Sequence, residues 1–307
     1  MMKPQFILPN FVRLRFIFNE LNDIRRELPE SFESCSVAGV HGSLNELYWH
    51  EKSRLSGNTS YTQHGNRFQK EIDFFSKRKY RIFFDFSNPL LNETDCLDRY
   101  GNKALINFES EDNTIILSTT ALFNYVKENY PQYNICWKFF NKVTPENVIQ
   151  QLSQAELVLI PTAMAFDEEF INEIPVDLRE RCIFSTNDMC SMECPKFSEH
   201  LIKSSKIACT MTNENCNDFC PIFYGRMNRE GKTTYSNKLT KEKIINELMP
   251  LGYKTFYIDS CQLSPYHFIK ETVQMLVKEE YQLDVLNVLY YMTHIDDLLQ
   301  YHRGRNS

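Results

Sequence analysis

Hydrophobic positions along the chain follow two rhythms. Between residues 10 and 28 they recur at Phe11, Leu14, Phe18, Leu21, Ile24 and Leu28, the spacing of a helix with one buried stripe. After a short apolar run at 36 to 40, compact and nearly continuous apolar runs take over. They are RIFFDF at 81 to 86, TIILS at 114 to 118, NICWKF at 134 to 139, LVLIP at 157 to 161, RCIFS at 181 to 185 and KTFYI at 254 to 258. Helix-like segments separate them, at 66 to 78, 120 to 129, 145 to 153, 191 to 206 and 240 to 249. Thr119 and Thr120 offer a cap to the segment at 120 to 129, and Thr144 followed by Pro145 offers one to the next.

Short strands apolar on both faces, alternating with helices, predict a parallel sheet covered on both sides. With a weak candidate at Thr233 to Ser236, the runs make eight strands. That count predicts an α/β fold, a (β/α)8 TIM-like barrel over about residues 34 to 260, with a doubly wound open sheet as the alternative. Two final segments, 264 to 279 and 281 to 301, predict extra C-terminal helices outside the barrel. There is no Pro/Gly/Ser-rich linker and no solenoid-length repeat, so one domain over residues 1 to 307 is the expectation.

Composition narrows the function classes. With 42% hydrophobic and 24% charged residues, the chain folds rather than staying disordered. A formal charge of −6 argues against broad, sequence-blind DNA binding, which needs an excess of Lys and Arg. Only 9 glycines occur, with none between Gly101 and Gly225, and neither GxGxxG nor GxxxxGK[ST] is present. A glycine-cradled dinucleotide or P-loop site is therefore not expected. The opening MMKPQFILPNFVRLRF is too short in its apolar run, and too broken by Arg13 and Arg15, to read as a secretory signal. No stretch approaches the length of a membrane span. The expectation is a cytoplasmic protein with no membrane partner. Its 10 cysteines are then core residues, metal ligands or reactive thiols rather than disulfides.

In both α/β architectures, function sits just past the carboxyl ends of the strands. Polar residues gather there. His41, Asn45, His50, Glu51, Arg54 and Asn58 follow the first run, and Asp85, Ser87 and Asn88 the second. Ser118 and Thr119 end the third, Thr186, Asn187 and Asp188 follow the sixth, and Asp259 follows the last. Helix capping and loop solvation account for Thr119 and Asn187. Lys138 is different, because it stands between Trp137 and Phe139 inside an apolar run. An unpaired buried ammonium is costly, so Lys138 should face the mouth within reach of an acidic side chain, with Asp85 a suitable partner.

The densest chemistry follows the sixth run. Cys190 and Cys194 are four positions apart, Cys216 and Cys220 repeat that spacing, and Cys209 lies between. Near a helix N-terminus thiol pKa falls, which favours thiolate ligands. Two pairs brought together make a four-thiolate site, fitting an iron–sulfur cluster or structural zinc. Buried thiols are the ordinary alternative and suit Cys136 and Cys182, which lie in strand runs. The clustered five stand instead among Asp188, Glu193, Asn215, Asn217 and Asp218. His200 follows Cys194 on the same predicted helix, either lining this site or standing at the surface.

VHGSLNELYWHEKSR, RIFFDFSNPLLNETDCLDRYGN, NDMCSMECPKFSEH and LTKEKIINELMPLGYKTFYIDS carry a resemblance. They resemble a group of bacterial and phage-type TIM-barrel proteins, distantly similar to the collagenase-like peptidases and the anaerobic ubiquinone- and RNA-hydroxylation proteins. The resemblance spans roughly residues 34 to 260. It implies a 4Fe-4S cluster in the barrel mouth, held by Cys190 and Cys194 with two of Cys209, Cys216 and Cys220. The final strand reads IDSCQ rather than the acidic-glycine-arginine ending of the hydroxylation proteins.

Three functions are then open. The first is a cluster-containing enzyme that hydroxylates a small or RNA-borne group without oxygen, with Asp85, Asn88, Lys138 and His200 as candidate catalytic residues. The second is a peptidase-like barrel hydrolase with a structural four-cysteine zinc site, although no HExxH motif is present. The third is a non-catalytic accessory protein whose last helices dock a protein partner through Leu283, Leu286, Val288, Leu289 and Leu298. Covering the barrel's outer wall is the simpler role for those leucines.

Overall fold

The computed structural model describes residues 3–9, 11–42, 49, 61–188, 197–210, 237–259 and 267–304. Its core is a closed barrel of eight parallel strands. They are β1 (Gln5–Leu8), β2 (Ser36–Gly42), β3 (Arg81–Asp85), β4 (Asn113–Leu117), β5 (Asn134–Lys138), β6 (Leu157–Ile160), β7 (Cys182–Ser185) and β10 (Thr255–Tyr257). Around the barrel they run β1-β10-β7-β6-β5-β4-β3-β2. The short strands β8 (Asn187–Asp188) and β9 (Asn237–Lys238) form a separate antiparallel pair. The TIM-like barrel expected from the alternation is the observed fold, and β3 and β4 pair in parallel.

One strand differs from the expectation. The barrel starts at Gln5, not near residue 34, because β1 pairs with both β2 and β10 and closes the cylinder. This strand hides in the sequence as QFIL between Pro4 and Pro9, too short to show a period. The candidate at Thr233 to Ser236 lies outside the described residues. In the described barrel β10 pairs directly with β7.

Helices cover the outside. Phe11–Glu27 buries Ile17, Phe18 and Leu21, while Tyr61–Ser76 buries Ile72 and Phe75. Phe18 meets Phe75 edge-on at 5.6 Å, joining these two helices. The caps read from the sequence are present. Thr119 accepts from Leu122 N, and Thr144 forms a reciprocal capping box with Asn147. Asn187 is not a helix cap. It is buried, and its side chain bridges to Asp259 on the neighbouring strand end. In the last helix, Gln282–Gly304, Val285 and Leu289 are buried against the core and Leu286 packs beside them. Leu283, Val288 and Tyr291 are exposed. Leu298 lies on this helix, but its side chain is outside the described residues.

Inside the barrel sits a separate apolar plug of Ile7, Phe83, Ile116, Cys136, Leu159, Ile183 and Tyr257, with Ala38 and Leu157 against it. Side chains alternate along a strand, so the next inward position toward the carboxyl end follows from the plug. Those positions are Asp85 after Phe83, Lys138 after Cys136 and Ser185 after Ile183. The polar floor is thus one pleat above the plug.

Strand β2 reaches this floor only through an irregularity. Val37 packs with the outer core and Ala38 with the plug, so strict alternation would turn residue 41 outward. The register between β1 and β2 slips, so that Phe6 pairs Val37 but Ile7 pairs Gly39. The slip reverses the phase, placing Val40 in the outer core and His41 beside Phe83. Gly39 permits it, because a Cβ there would stand 2.3 Å from the Arg81 carbonyl oxygen.

Candidate active site at the barrel mouth

Asp85 and Lys138 form the centre of the polar floor. Lys138 Nζ lies 3.4 Å from Asp85 Oδ2, with the side chains 20% and 9% exposed. The other carboxylate oxygen accepts from Ser87 N at 3.1 Å and from the Ser87 hydroxyl. Lys138 Nζ is also 3.3 Å from Ser87 Oγ and 4.9 Å from the centre of the Phe140 ring. Ser118 holds this turn in place by donating to the Ser87 carbonyl at 3.0 Å. Asp85 is therefore a carboxylate held in one orientation by backbone and hydroxyl. The Lys138 ammonium rests on it at a longer contact, which a substrate oxygen could displace.

A second carboxylate approaches from β8. Asp188 Oδ2 accepts from Thr162 N at 2.6 Å. Desolvation pushes its carboxyl above the usual carboxylate range, opposed by the Thr162 and Ser185 hydrogen bonds and by the Lys138 charge.

His41 faces the interior from β2, the strand next to the one that carries Asp85. Its Nε2 lies 2.7 Å from the Ile258 carbonyl oxygen, which only accepts, so Nε2 carries the proton. Nδ1 then accepts from the Tyr257 hydroxyl at 2.8 Å. Burial pushes the imidazole pKa down to about 4, and the same burial holds the Tyr257 phenol well above its ordinary value. Neutral, and with both nitrogens engaged, His41 fixes Tyr257 and the end of β10 rather than acting as a base at neutral pH.

The other expected site residues are placed as follows. Asn88 is buried, with its Oδ1 accepting from Leu90 N at 3.0 Å and its Nδ2 donating to the Ser205 carbonyl at 3.3 Å. It ties the β3 loop to the helix Phe197–Thr210. His200 and Cys209 lie on that helix, with side chains outside the described residues. Cys190, Cys194, Cys216 and Cys220 are outside the described residues altogether, as are Asn45, His50, Glu51, Arg54 and Asn58. Among the described residues, no group of three or more His, Cys, Asp and Glu side chains is placed to hold a metal ion. The described cysteines Cys35, Cys96, Cys136 and Cys182 are buried free thiols, all pushed upward in pKa by desolvation. They are core residues in character.

The cysteine-bearing segment is nonetheless anchored at both ends. Asp188 and Asn237, the described residues on either side of it, pair in the β8–β9 ladder. Leu239 N donates to the Thr186 carbonyl at 2.8 Å, and Lys238 forms a 2.6 Å ion pair with buried Glu271. Sequence reasoning passed over Thr162, Ser185 and Tyr257. Two-residue spacing from Asp259 back to Tyr257 was the available signal for the tyrosine.

No family model and no curated protein matches the chain. No described helix is long and apolar enough to cross a membrane. Among solved structures, a U32 peptidase, Mk0906, superimposes with a TM-score of 0.51 over 84% of this chain and 92% of its own, at 12% identity. At that identity the likeness is one of fold, and it agrees with the distant resemblance to collagenase-like peptidases: both chains build a TIM-like barrel.

Proposed function

We propose that this chain is a barrel enzyme whose chemistry takes place at the carboxyl mouth, with Lys138 meeting the substrate and Asp85 orienting it. The observation that carries the reading is the ammonium on an oriented carboxylate directly above the apolar plug. A substrate carrying an anionic or carbonyl oxygen would take over the Lys138 contact, and Asp85 would keep the ammonium aimed upward. The Phe140 ring offers a flat apolar wall beside it.

The finer reading is a cluster-dependent, oxygen-independent hydroxylation of a small or RNA-borne group, in which a C–H bond becomes C–OH with the oxygen atom from water, two protons released and two electrons passed to an external acceptor. Cys190, Cys194 and two of Cys209, Cys216 and Cys220 would hold a 4Fe-4S cluster. Support comes from the ladder that brings both ends of the segment carrying these cysteines to the mouth. A bound cluster supplies one-electron chemistry, and the chain supplies binding and orientation. Hydrolysis with structural zinc is the second reading, favoured by the name of the U32 peptidase neighbour. In that reading a barrel carboxylate is the base, since His41 has both nitrogens bonded.

Mass spectrometry of small molecules and digested RNA, from host cells lacking the chain and complemented with wild type or Lys138→Met, tests the reading. The expected result is a species one oxygen atom heavier that appears with wild type only. Equal restoration by Lys138→Met would remove Lys138 from the site.

A further inference from the structure

The barrel has a second concavity, at the opposite end from the mouth. It lies at the amino ends of β1 and β2, where Pro4 and Cys35 precede the two strands, and has a volume of about 530 Å³. The helical segment after β9 closes one side. It starts at Lys241 and widens into a π-turn over Ile244–Leu248, with Met249 N bonding back to the Ile244 carbonyl at 2.9 Å. The walls are Phe6, Ile244, Ile245, Met249 and Met275. Phe6, Ile244 and Met275 are almost wholly out of water, yet they border an open volume.

The polar rim has one sign in excess. Lys241 is neutralised by Glu33 at 2.6 Å and held by the Val277 carbonyl at 2.9 Å. Lys3, also on the rim, is exposed and has no ion pair among the described residues. The chamber is thus apolar inside, with one uncommitted cation at its entrance.

We propose that this chamber is a binding site for an amphipathic monocarboxylate, with its apolar body against the methionines and its carboxylate at Lys3. Volumes of this size hold small molecules, and an apolar lining with a few polar groups at one end fixes a ligand's orientation. Two unbranched thioether side chains let the wall adapt to the body it receives. TIM barrels do their chemistry at the other face, so the site binds rather than catalyses. It is independent of the function proposed for the mouth.

The test uses the full chain with sodium octanoate, 3-phenylpropanoate, octanol and octyltrimethylammonium, followed by calorimetry and by the methyl signals of Met249 and Met275. Saturable octanoate or phenylpropanoate binding that moves both methyl signals is expected, and the stronger of the two identifies an acyl or an aromatic body. Lys3→Glu should weaken octanoate by up to about fivefold and leave octanol unchanged, the size expected of one exposed charge pair. Ile245→Trp, at a position 46% exposed and so tolerant of bulk, should fill the chamber and abolish binding. Unmoved methyl signals, unchanged affinity in Ile245→Trp, or octyltrimethylammonium binding as tightly as octanoate would overturn the proposal.

Discussion

Lys138 and Asp85 are 53 positions apart in sequence, on strands separated by β4, yet their charged atoms lie 3.4 Å apart at the mouth. Barrel register produces this. Asp85 is level with Ile116, and Ile116 with Cys136, so Lys138 stands one pleat higher and leans back over the carboxylate. The two residues are unequal. Asp85 is held by Ser87, whereas Lys138 relies on Asp85 as its ion-pair partner.

Asp85→Asn should therefore destabilise the protein by about 1–3 kcal/mol, below the range for fully buried pairs because Lys138 keeps some water. Lys138→Met should cost less than Asp85→Asn, since the Ser87 donors remain for Asp85. Urea unfolding of both variants and of the double variant at pH 7 checks the asymmetry. A larger loss for Lys138→Met would contradict it.

His41 gives a pH signature. Its folded pKa is about 4, below an unfolded value near 6.5, so the unfolded chain binds a proton that the folded one refuses. The stability this leaves intact is fully present above about pH 6.5 and is lost as pH falls toward 4, a change on the order of 3 kcal/mol. Urea midpoints measured from pH 7.5 to 4.5 should show this slope, and His41→Gln should flatten it.

Gly39→Ala should destabilise by about 1–3 kcal/mol or more, because the added Cβ meets the Arg81 carbonyl, a backbone atom with little room to move. The variant should also lose the His41–Tyr257 hydrogen bond as β2 shifts, which the imidazole resonances of His41 would report. An unchanged melting temperature would refute the role given to this slip.

Much of the barrel was legible in the sequence because β3 to β7 are continuous apolar runs, the mark of strands buried on both faces. Lys138 was legible for the opposite reason, as a charge that such a run cannot leave unpaired. β1 was not, since four residues between prolines carry no period. The inward turn of His41 was hidden as well, because it depends on a register slip at Gly39 rather than on composition. Asn88 looked like a mouth residue by position, but its side chain bonds to Leu90 N and the Ser205 carbonyl. Nothing local in the sequence signals a partner 117 positions away.

Burial sets the chemistry of the described strand thiols. Cys136 and Cys182 have pKa values pushed upward by burial within strands, so Cys136→Ser and Cys182→Ser should alter stability and leave metal content unchanged. Metal analysis of those variants beside Cys190→Ser and Cys194→Ser checks whether metal content follows the clustered pair that the proposal names as ligands.

The most direct measurement of the central proposal is iron, acid-labile sulfide and zinc per chain in anaerobically purified protein. The account predicts about four iron atoms and matching sulfide per chain, lost when Cys190 and Cys194 are both replaced by Ser. Zinc in place of iron would move the chain to the hydrolase reading, and less than about a tenth of an equivalent of either metal would contradict a four-thiolate site at the mouth.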